Sequence, residues 1–248
     1  MTKVFIKSKE KFTPEVVQFY SNNFDLVDNE VESDLIVINN FERIETDKIV
    51  ACNSTGVDHI KAKEVISLRG EDLSDLTAVP ELCLGIIIFL MRLRKRKEIR
   101  GKTLGLIGYG RIAKQLKKYA ECFDILVLCY DKNNSVEELN SILKNSDIIS
   151  LHITADEENR SFFKKEHFEK MRDDSIFLNS SRPWLVEEQG LKWALENKLN
   201  SAWFDFNVSL RHDKLFTTPH LGGSTEESKA KSEMIIAKKL LRLYGSKQ

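Results

Sequence analysis

Short runs of apolar and β-branched residues alternate along the chain with stretches whose apolar positions recur at helical spacing. Residues 3–6, 35–38, 49–52, 65–68, 103–107, 125–130, 148–152, 175–179 and 201–206 read as strands. Thr13-Pro14 opens a helix with a capping residue and a proline at the first helical position. Ile112, Leu116, Ala120 and Phe123 mark one helical face, and Ile236, Leu240 and Leu243 mark one side of a last helix that reaches Tyr244. Ser135 with Glu138, and Ser224 with Glu227, have the spacing of capping boxes. The alternation predicts an α/β fold of parallel sheets with helices on both faces. The apolar run 82–91 stops at Arg92, well short of the about 18 residues of a membrane span, and predicts a buried helix. It is more apolar than one helix face requires, which predicts burial by both domains or by a second chain.

Composition narrows the classes. Of 248 residues, 42% are hydrophobic, too many for a disordered chain. Lys plus Arg, 38, equals Asp plus Glu, 38, so the positive excess of a dedicated nucleic-acid binder is missing and no nucleic-acid partner is expected. The N-terminus has no long apolar stretch, so neither a secretory signal nor a membrane partner is expected, and the reading is cytoplasmic. Cys52, Cys83, Cys122 and Cys129 include no C-x-x-C pair; they read as reduced and buried, with no metal site. Arg92, Arg94, Lys95, Arg96, Lys97, Arg100 and Lys102 crowd together as the solvated end of a helix and its linker. That composition shift marks a boundary just before Thr103.

Chemistry first enters after the strand at 103–107. Gly108-Tyr109-Gly110-Arg111-Ile112-Ala113 is a G-x-G-x-x-A fingerprint opening a helix. Gly108 permits the tight turn, Gly110 leaves the backbone open to a pyrophosphate, and Ala113 lets the helix lie close to the strand. The helix N-terminus offers unpaired N–H groups and a positive dipole end to phosphates. Asp131 ends the next strand, where a carboxylate accepts from ribose hydroxyls and repels a 2′-phosphate, which predicts NAD rather than NADP. The competing role for Asp131 is a turn residue, since Lys132-Asn133-Asn134 follows.

Of five histidines, His59 falls in a loop, His152 ends a strand, His167 lies in a charged helix and reads as solvated, and His212 lies in a polar loop. His220 is held in Thr218-Pro219-His220-Leu221-Gly222-Gly223, pinned by proline and paired glycines, and is the candidate general acid–base. Arg182 follows a strand in Asn179-Ser180-Ser181-Arg182-Pro183, where a guanidinium suits a planar carboxylate.

Taken in order, several blocks resemble the D-isomer-specific 2-hydroxyacid dehydrogenases. They are Gly101-Lys102-Thr103-Leu104-Gly105 into the glycine fingerprint, Ser146-Asp147-Ile148-Ile149-Ser150-Leu151-His152, Asn179-Ser180-Ser181-Arg182, Ala194-Leu195-Glu196-Asn197-Lys198-Leu199 and Thr218-Pro219-His220-Leu221-Gly222-Gly223. Upstream, Ser54-Thr55-Gly56-Val57-Asp58-His59-Ile60 looks like the family's substrate-carboxylate loop. The resemblance implies two doubly wound α/β domains with a cleft between them: a smaller flavodoxin-like substrate domain, residues 1–78 plus 225–248, and a Rossmann NAD-binding domain, residues 79–224. It implies that Gly108, Gly110, Arg111 and Ile112 meet the pyrophosphate of NAD and Asp131 its ribose. Ser180, Ser181 and Asp205 would lie near the nicotinamide half, and Gly222 and Gly223 would also contact the cofactor. The backbone of Thr55 and Gly56 would hold the substrate carboxylate, Arg182 would orient and polarise a small 2-keto acid, and protonated His220 would give its proton to the keto oxygen. A homodimer is implied as well.

The chain departs from the pattern in four places. Counted without a gap from Asp205, the family's catalytic Glu is replaced by Leu210, which leaves Asp213 as the nearest acid. Pro183 and Trp184 follow the Arg where the family has Gly. The segment before Gly101, which helps build the dimer in the family, is short, and the N-terminal half is trimmed. Loss of the Glu sets a second expectation beside the dehydrogenase: a non-catalytic NAD(H)-binding sensor or corepressor.

Overall fold

The structure, a computed structural model, describes residues 1–39 and 42–245. It divides into two units, Met1–Leu76 with Thr225–Gln248, and Thr77–Ser224. The chain begins with β1 (Lys3–Ile6), α1 (Pro14–Asn23), β2 (Asp25–Leu26), β3 (Leu35–Ile38), β4 (Ile44–Glu45), β5 (Ile49–Cys52), β6 (Ile60–Lys61) and β7 (Glu64–Ile66). The second unit holds α2 (Ala78–Lys95), β8 (Thr103–Ile107), α3 (Arg111–Cys122), β9 (Leu126–Tyr130), α4 (Val136–Asn145) and β10 (Ile148–Leu151). It continues with α5 (Lys165–Lys170), β11 (Ile176–Asn179), α6 (Glu188–Asn197), β12 (Ser201–Phe204) and β13 (Leu215–Thr217), after which α7 (Glu226–Tyr244) rejoins the first unit.

In the first unit, five parallel strands lie in the order β2-β1-β3-β5-β7. This is the flavodoxin-like order that the family resemblance implies. Strand periodicity splits β3 between two cores. Leu35 and Val37 join Val16, Tyr20, Ile236 and Leu240 beneath α1 and α7, while Ile36 and Ile38 pack with Val50, Cys52, Ile44 and Ile60 on the other face. Among the described residues that second face is covered by the short β4–β6 pair and its loops rather than by a helix. Glu233 of α7 is fully buried, and its Oε2 accepts from the Thr13 N–H at 2.9 Å and the Thr13 hydroxyl at 2.8 Å. Thr13 therefore spends its hydroxyl on α7 rather than on capping α1, although Pro14 stands at the start of α1 as predicted.

The second sheet has six strands in the order β13-β12-β11-β10-β8-β9, parallel throughout. Here helices do cover both faces. Cys83, Ile87 and Leu90 of α2 and Leu116 of α3 pack on Leu104, Leu106, Ile148 and Trp203; Leu139, Phe168 and Leu195 of α4, α5 and α6 pack on Ile149, Phe177 and Phe204. Each such side chain taken from water contributes about 1.5–3 kcal/mol before entropy is counted. Ser135 caps α4 as its spacing predicts: its Oγ accepts from the Glu138 N–H at 3.2 Å, and Glu138 Oε2 accepts from the Ser135 N–H at 2.7 Å. The bond from the Ser135 N–H, with a second from Asn134 Nδ2, holds the Glu138 carboxyl below the usual carboxylate range.

Several expectations are corrected. The units divide between Leu76 and Thr77, not before Thr103, because α2 packs with the second sheet. The last helix begins at Glu226 and is capped by the Thr225 side chain, which accepts from the Ser228 N–H, one residue beyond the Ser224–Glu227 box. Phe123 and Leu243 are exposed; Ala113, Leu116 and Ala120 carry the buried face of α3, and Ile236, Ala237 and Leu240 that of α7. Cys122 is exposed and Cys129 half-buried, so only two of the four free cysteines are buried. His167 is half-buried, its ring stacked on Phe162 and its Nδ1 accepting from the Lys164 N–H at 3.0 Å. The basic cluster is largely exposed as expected, Arg92, Arg96, Lys97 and Arg100 facing solvent, and three of its members also pair with acids: Lys95 with Asp174, Arg94 with Asp213 and Arg100 with Asp124. No helix among the described residues is long and apolar enough to cross a membrane.

Candidate active site

Because the second sheet is parallel, the carboxyl ends of all six strands share one edge. The chain leaves β8 for its neighbour β9 on one side, then crosses back to β10 on the other, which creates a topological switch at the end of β8. Gly108 stands at that point with φ +95, and a Cβ there would lie 2.7 Å from the backbone carbon of His152. The turn thus demands glycine twice over, for conformation and for approach. At Gly110 an added Cβ would meet nothing within 4 Å, so the backbone faces open space. Gly110 caps α3 without a side-chain hydrogen bond, and no acidic residue occupies the first turn. An open glycine at a helix N-terminus with no acidic residue in its first turn fits a dinucleotide pyrophosphate. Arg111 and Ile112 form the first turn of α3 and are half-buried, and burial lowers the Arg111 guanidinium.

Asp131 lies at the carboxyl end of β9 and also serves the turn. Its Oδ1 accepts from the Asn133 N–H at 3.1 Å, and its own N–H donates to Asn134 Oδ1 at 2.8 Å. The turn fixes the carboxylate at the sheet edge, so the two readings of this residue are compatible.

After β11 the buried Asn179 amide shapes the next three residues. Its Oδ1 accepts from the Ser181 N–H at 2.9 Å and its Nδ2 donates to the Arg182 carbonyl at 2.9 Å. The Ser180 hydroxyl is turned toward His152 Nδ1, 3.2 Å away, and toward the Cys83 thiol, which burial pushes up to about 12. The Ser181 hydroxyl donates to the Ile153 carbonyl at 3.1 Å. Both serine side chains are therefore engaged in holding the edge together. His152 completes the cluster, its Nε2 2.8 Å from the Ser150 hydroxyl. Burial pushes its pKa down to about 4, so near neutral pH this ring is uncharged.

After β12, Asp205 is 1% exposed and organises the loop beyond β13. Its Oδ1 accepts from the Thr218 hydroxyl and the Leu221 N–H, and its Oδ2 from the Gly222 N–H, each at 2.7 Å. A Cβ at Gly222 would approach Asp205 Oδ2 to 2.7 Å, so only glycine fits against the carboxylate; at Gly223 it would meet nothing within 4 Å. Within this clamp His220 takes a left-handed φ of 58. Bonds to a buried carboxylate are of the strong, charge-assisted kind and offset the backbone cost of that conformation. The His220 ring lies over Phe206, centroids 4.2 Å apart, and Arg182 Cζ is 5.1 Å from the same ring's centroid. Arg182 and His220, distant in sequence, thus meet across one aromatic side chain that sequence reading passed over.

Leu210 and Asp213, the two expected in place of the glutamate, lie in different surroundings. Leu210 packs against the apolar cluster of Phe177 and Phe204. Asp213 precedes β13, at the opposite edge of the sheet from His220, and sits beside His212 Nδ1 at 2.9 Å and Arg94 at 3.9 Å. The bulky pair after Arg182 is built into the fold: Pro183 starts a single 3-10 turn, and Arg160 lies over Trp184 at 4.9 Å.

Thr55 and Gly56 belong to the first unit and follow β5. Their loop is locally braced. The Ser54 hydroxyl donates to the Gly56 carbonyl at 2.6 Å, and Arg69 Nε donates to the Thr55 carbonyl at 2.9 Å.

Comparison with known proteins identifies the family and the fold. The sequence profile of the D-isomer specific 2-hydroxyacid dehydrogenase, NAD binding domain, matches residues 90–222. A hydroxypyruvate reductase of Thermotoga maritima is 29% identical over 262 aligned positions, covering 86% of this chain and 86% of that one. A D-3-phosphoglycerate dehydrogenase of Methanocaldococcus jannaschii is 30% identical over 246 positions, covering 81% of this chain but 47% of that longer protein. The NAD+-bound 3-phosphoglycerate dehydrogenase of Entamoeba histolytica superposes with a TM-score of 0.80 at 20% identity, covering 100% of this chain and 99% of that one.

Proposed function

The chain belongs to the D-isomer-specific 2-hydroxyacid dehydrogenases, and from that premise we propose that it reduces a small 2-keto acid to the D-2-hydroxy acid with NADH. The observation that carries this reading is the placement of Arg182 and His220 on one aromatic ring at the carboxyl edge of the NAD-binding unit. A protein that only bound the dinucleotide would need neither. NADH, when bound, supplies the hydride that becomes the hydrogen on C2. Arg182 donates to the keto acid and draws electron density toward the keto oxygen. His220, protonated, gives its proton to that oxygen, so the C=O bond becomes an alcohol and the imidazole is left neutral. The Asp205 clamp holds the His220 backbone in place for the transfer. In the reverse direction, the purified chain with NAD+ should oxidise D-lactate or D-glycerate and leave the L-enantiomers untouched. Equal rates on both enantiomers would remove the D-specific assignment.

Cofactor choice is assigned to Asp131. NADH should bind roughly ten-fold or more tightly than NADPH, equivalent to about 1.4 kcal/mol for setting a phosphate against a carboxylate. Titration by intrinsic tryptophan fluorescence measures both affinities. Asp131→Ala should narrow the gap, and equal affinities in the parent would refute the assignment.

A two-fold dimer is proposed as the working form. Ile88, Phe89 and Leu93 are exposed on α2, and beside them Ile88, Ile99 and Phe123 share an open groove with the charged Arg92, Lys97, Glu98, Arg100 and Asp124. Faces of this kind are usually covered by a partner. Sedimentation at micromolar concentration should give twice 28.6 kDa; a 28.6 kDa species alone would contradict it.

A further inference from the structure

We propose that Phe206 is a positioning residue for the reaction, its ring holding the Arg182 guanidinium and the His220 imidazole side by side; the assignment rests on the functional reading above. Three adjacent strands deliver the three groups: β11 leads to Arg182, β12 to Phe206 and β13 to His220. Phe206 follows directly on Asp205, whose buried carboxylate accepts from the Thr218 hydroxyl before His220 and from the Leu221 and Gly222 N–H groups after it. One strand end therefore carries both restraints, Asp205 on the backbone and Phe206 on the side chains. The geometry is close on both sides, with the His220 ring centroid at 4.2 Å and an interplanar angle of 36°, and Arg182 Cζ at 5.1 Å.

The chemistry of a ring face explains why an aromatic residue suits this place. Its negative quadrupole attracts the permanently charged guanidinium, and it attracts the imidazolium form of His220, the form that has a proton to give. A phenylalanine side chain has only two torsions, so it restrains a long, flexible arginine at little entropic cost. A small misplacement of either group relative to the keto acid lowers turnover without disturbing the pyrophosphate end of the cofactor site. An aliphatic side chain fills the space but has no ring face.

Phe206→Leu and Phe206→Tyr separate positioning from space filling. With NADH and hydroxypyruvate, Phe206→Leu should lower kcat about ten-fold or more and raise the KM for the keto acid, while the NADH dissociation constant stays within about two-fold. Phe206→Tyr, which keeps the ring, should recover turnover to within about three-fold of the parent. A parent that turns over alongside an equally active Phe206→Leu variant overturns this assignment and leaves the functional reading standing. Loss of NADH binding in step with turnover in Phe206→Leu also overturns it, because that is a structural defect. A parent inactive on every 2-keto acid overturns the functional reading and this assignment with it.

Discussion

Replacing His220 or Arg182 by alanine should each lower turnover about 1,000-fold and leave NADH affinity within about two-fold of the parent. The two losses should differ in kind. His220→Ala removes the group that supplies the proton, an interaction realised as the keto oxygen becomes an alcohol, so its effect falls on kcat. Arg182→Ala removes a group that also holds the ground-state keto acid, so KM rises as well. Arg182→Lys keeps the charge but not the planar pair of donors, and should restore only part of the loss. Steady-state kinetics beside a fluorescence titration of NADH separates these effects. Unchanged turnover in His220→Ala would refute the proposed proton transfer.

Asp205→Asn should be nearly as damaging, through the fold. The carboxylate accepts three hydrogen bonds in a site that water does not reach. An amide offers one acceptor oxygen and turns an NH2 group toward at least one of those donors. Breaking such charge-assisted bonds costs about 3–5 kcal/mol, which lowers the melting temperature by roughly 6–20 °C in a chain of this size. His220 stands on the loop so released, in a left-handed conformation that the clamp sustains, and turnover should fall about 100-fold as well. Thermal melting followed by circular dichroism gives the first effect and NADH oxidation the second. A variant that melts within about 2 °C of the parent would show that the loop is held by other means.

The sequence made the carboxyl edge of the second sheet legible because each part has a local signature. The fingerprint at Gly108 needs only a strand before it and a helix after it, and both are there. Arg182 and His220 stand in short blocks anchored by Asn179 and by proline and glycine, residues whose backbone demands show in the sequence. Phe206 has no such mark. It reads as one more apolar residue at a strand end, and its meaning depends on β12 lying between β11 and β13, a lateral order that periodicity does not contain. Short pairings escaped for a related reason: β2, β4 and β6 have two residues each, too few to show a period, and long-range pairing selects them. At the helix ends periodicity alone is a poor guide: Phe123 and Leu243 fit the period but are exposed to solvent. Asp213 appeared near His220 because it is near in sequence; three residues of strand between them carry it to the opposite edge.

The absorbance of NADH, followed as glyoxylate, pyruvate or hydroxypyruvate is added to the purified chain, tests the central claim most directly. NADH should be consumed with at least one of these acids, one D-2-hydroxy acid should form per NADH lost, and consumption should stop in His220→Ala. NADH that binds tightly to the parent and is consumed with none of them would contradict the dehydrogenase reading and leave a protein that holds the dinucleotide without using it.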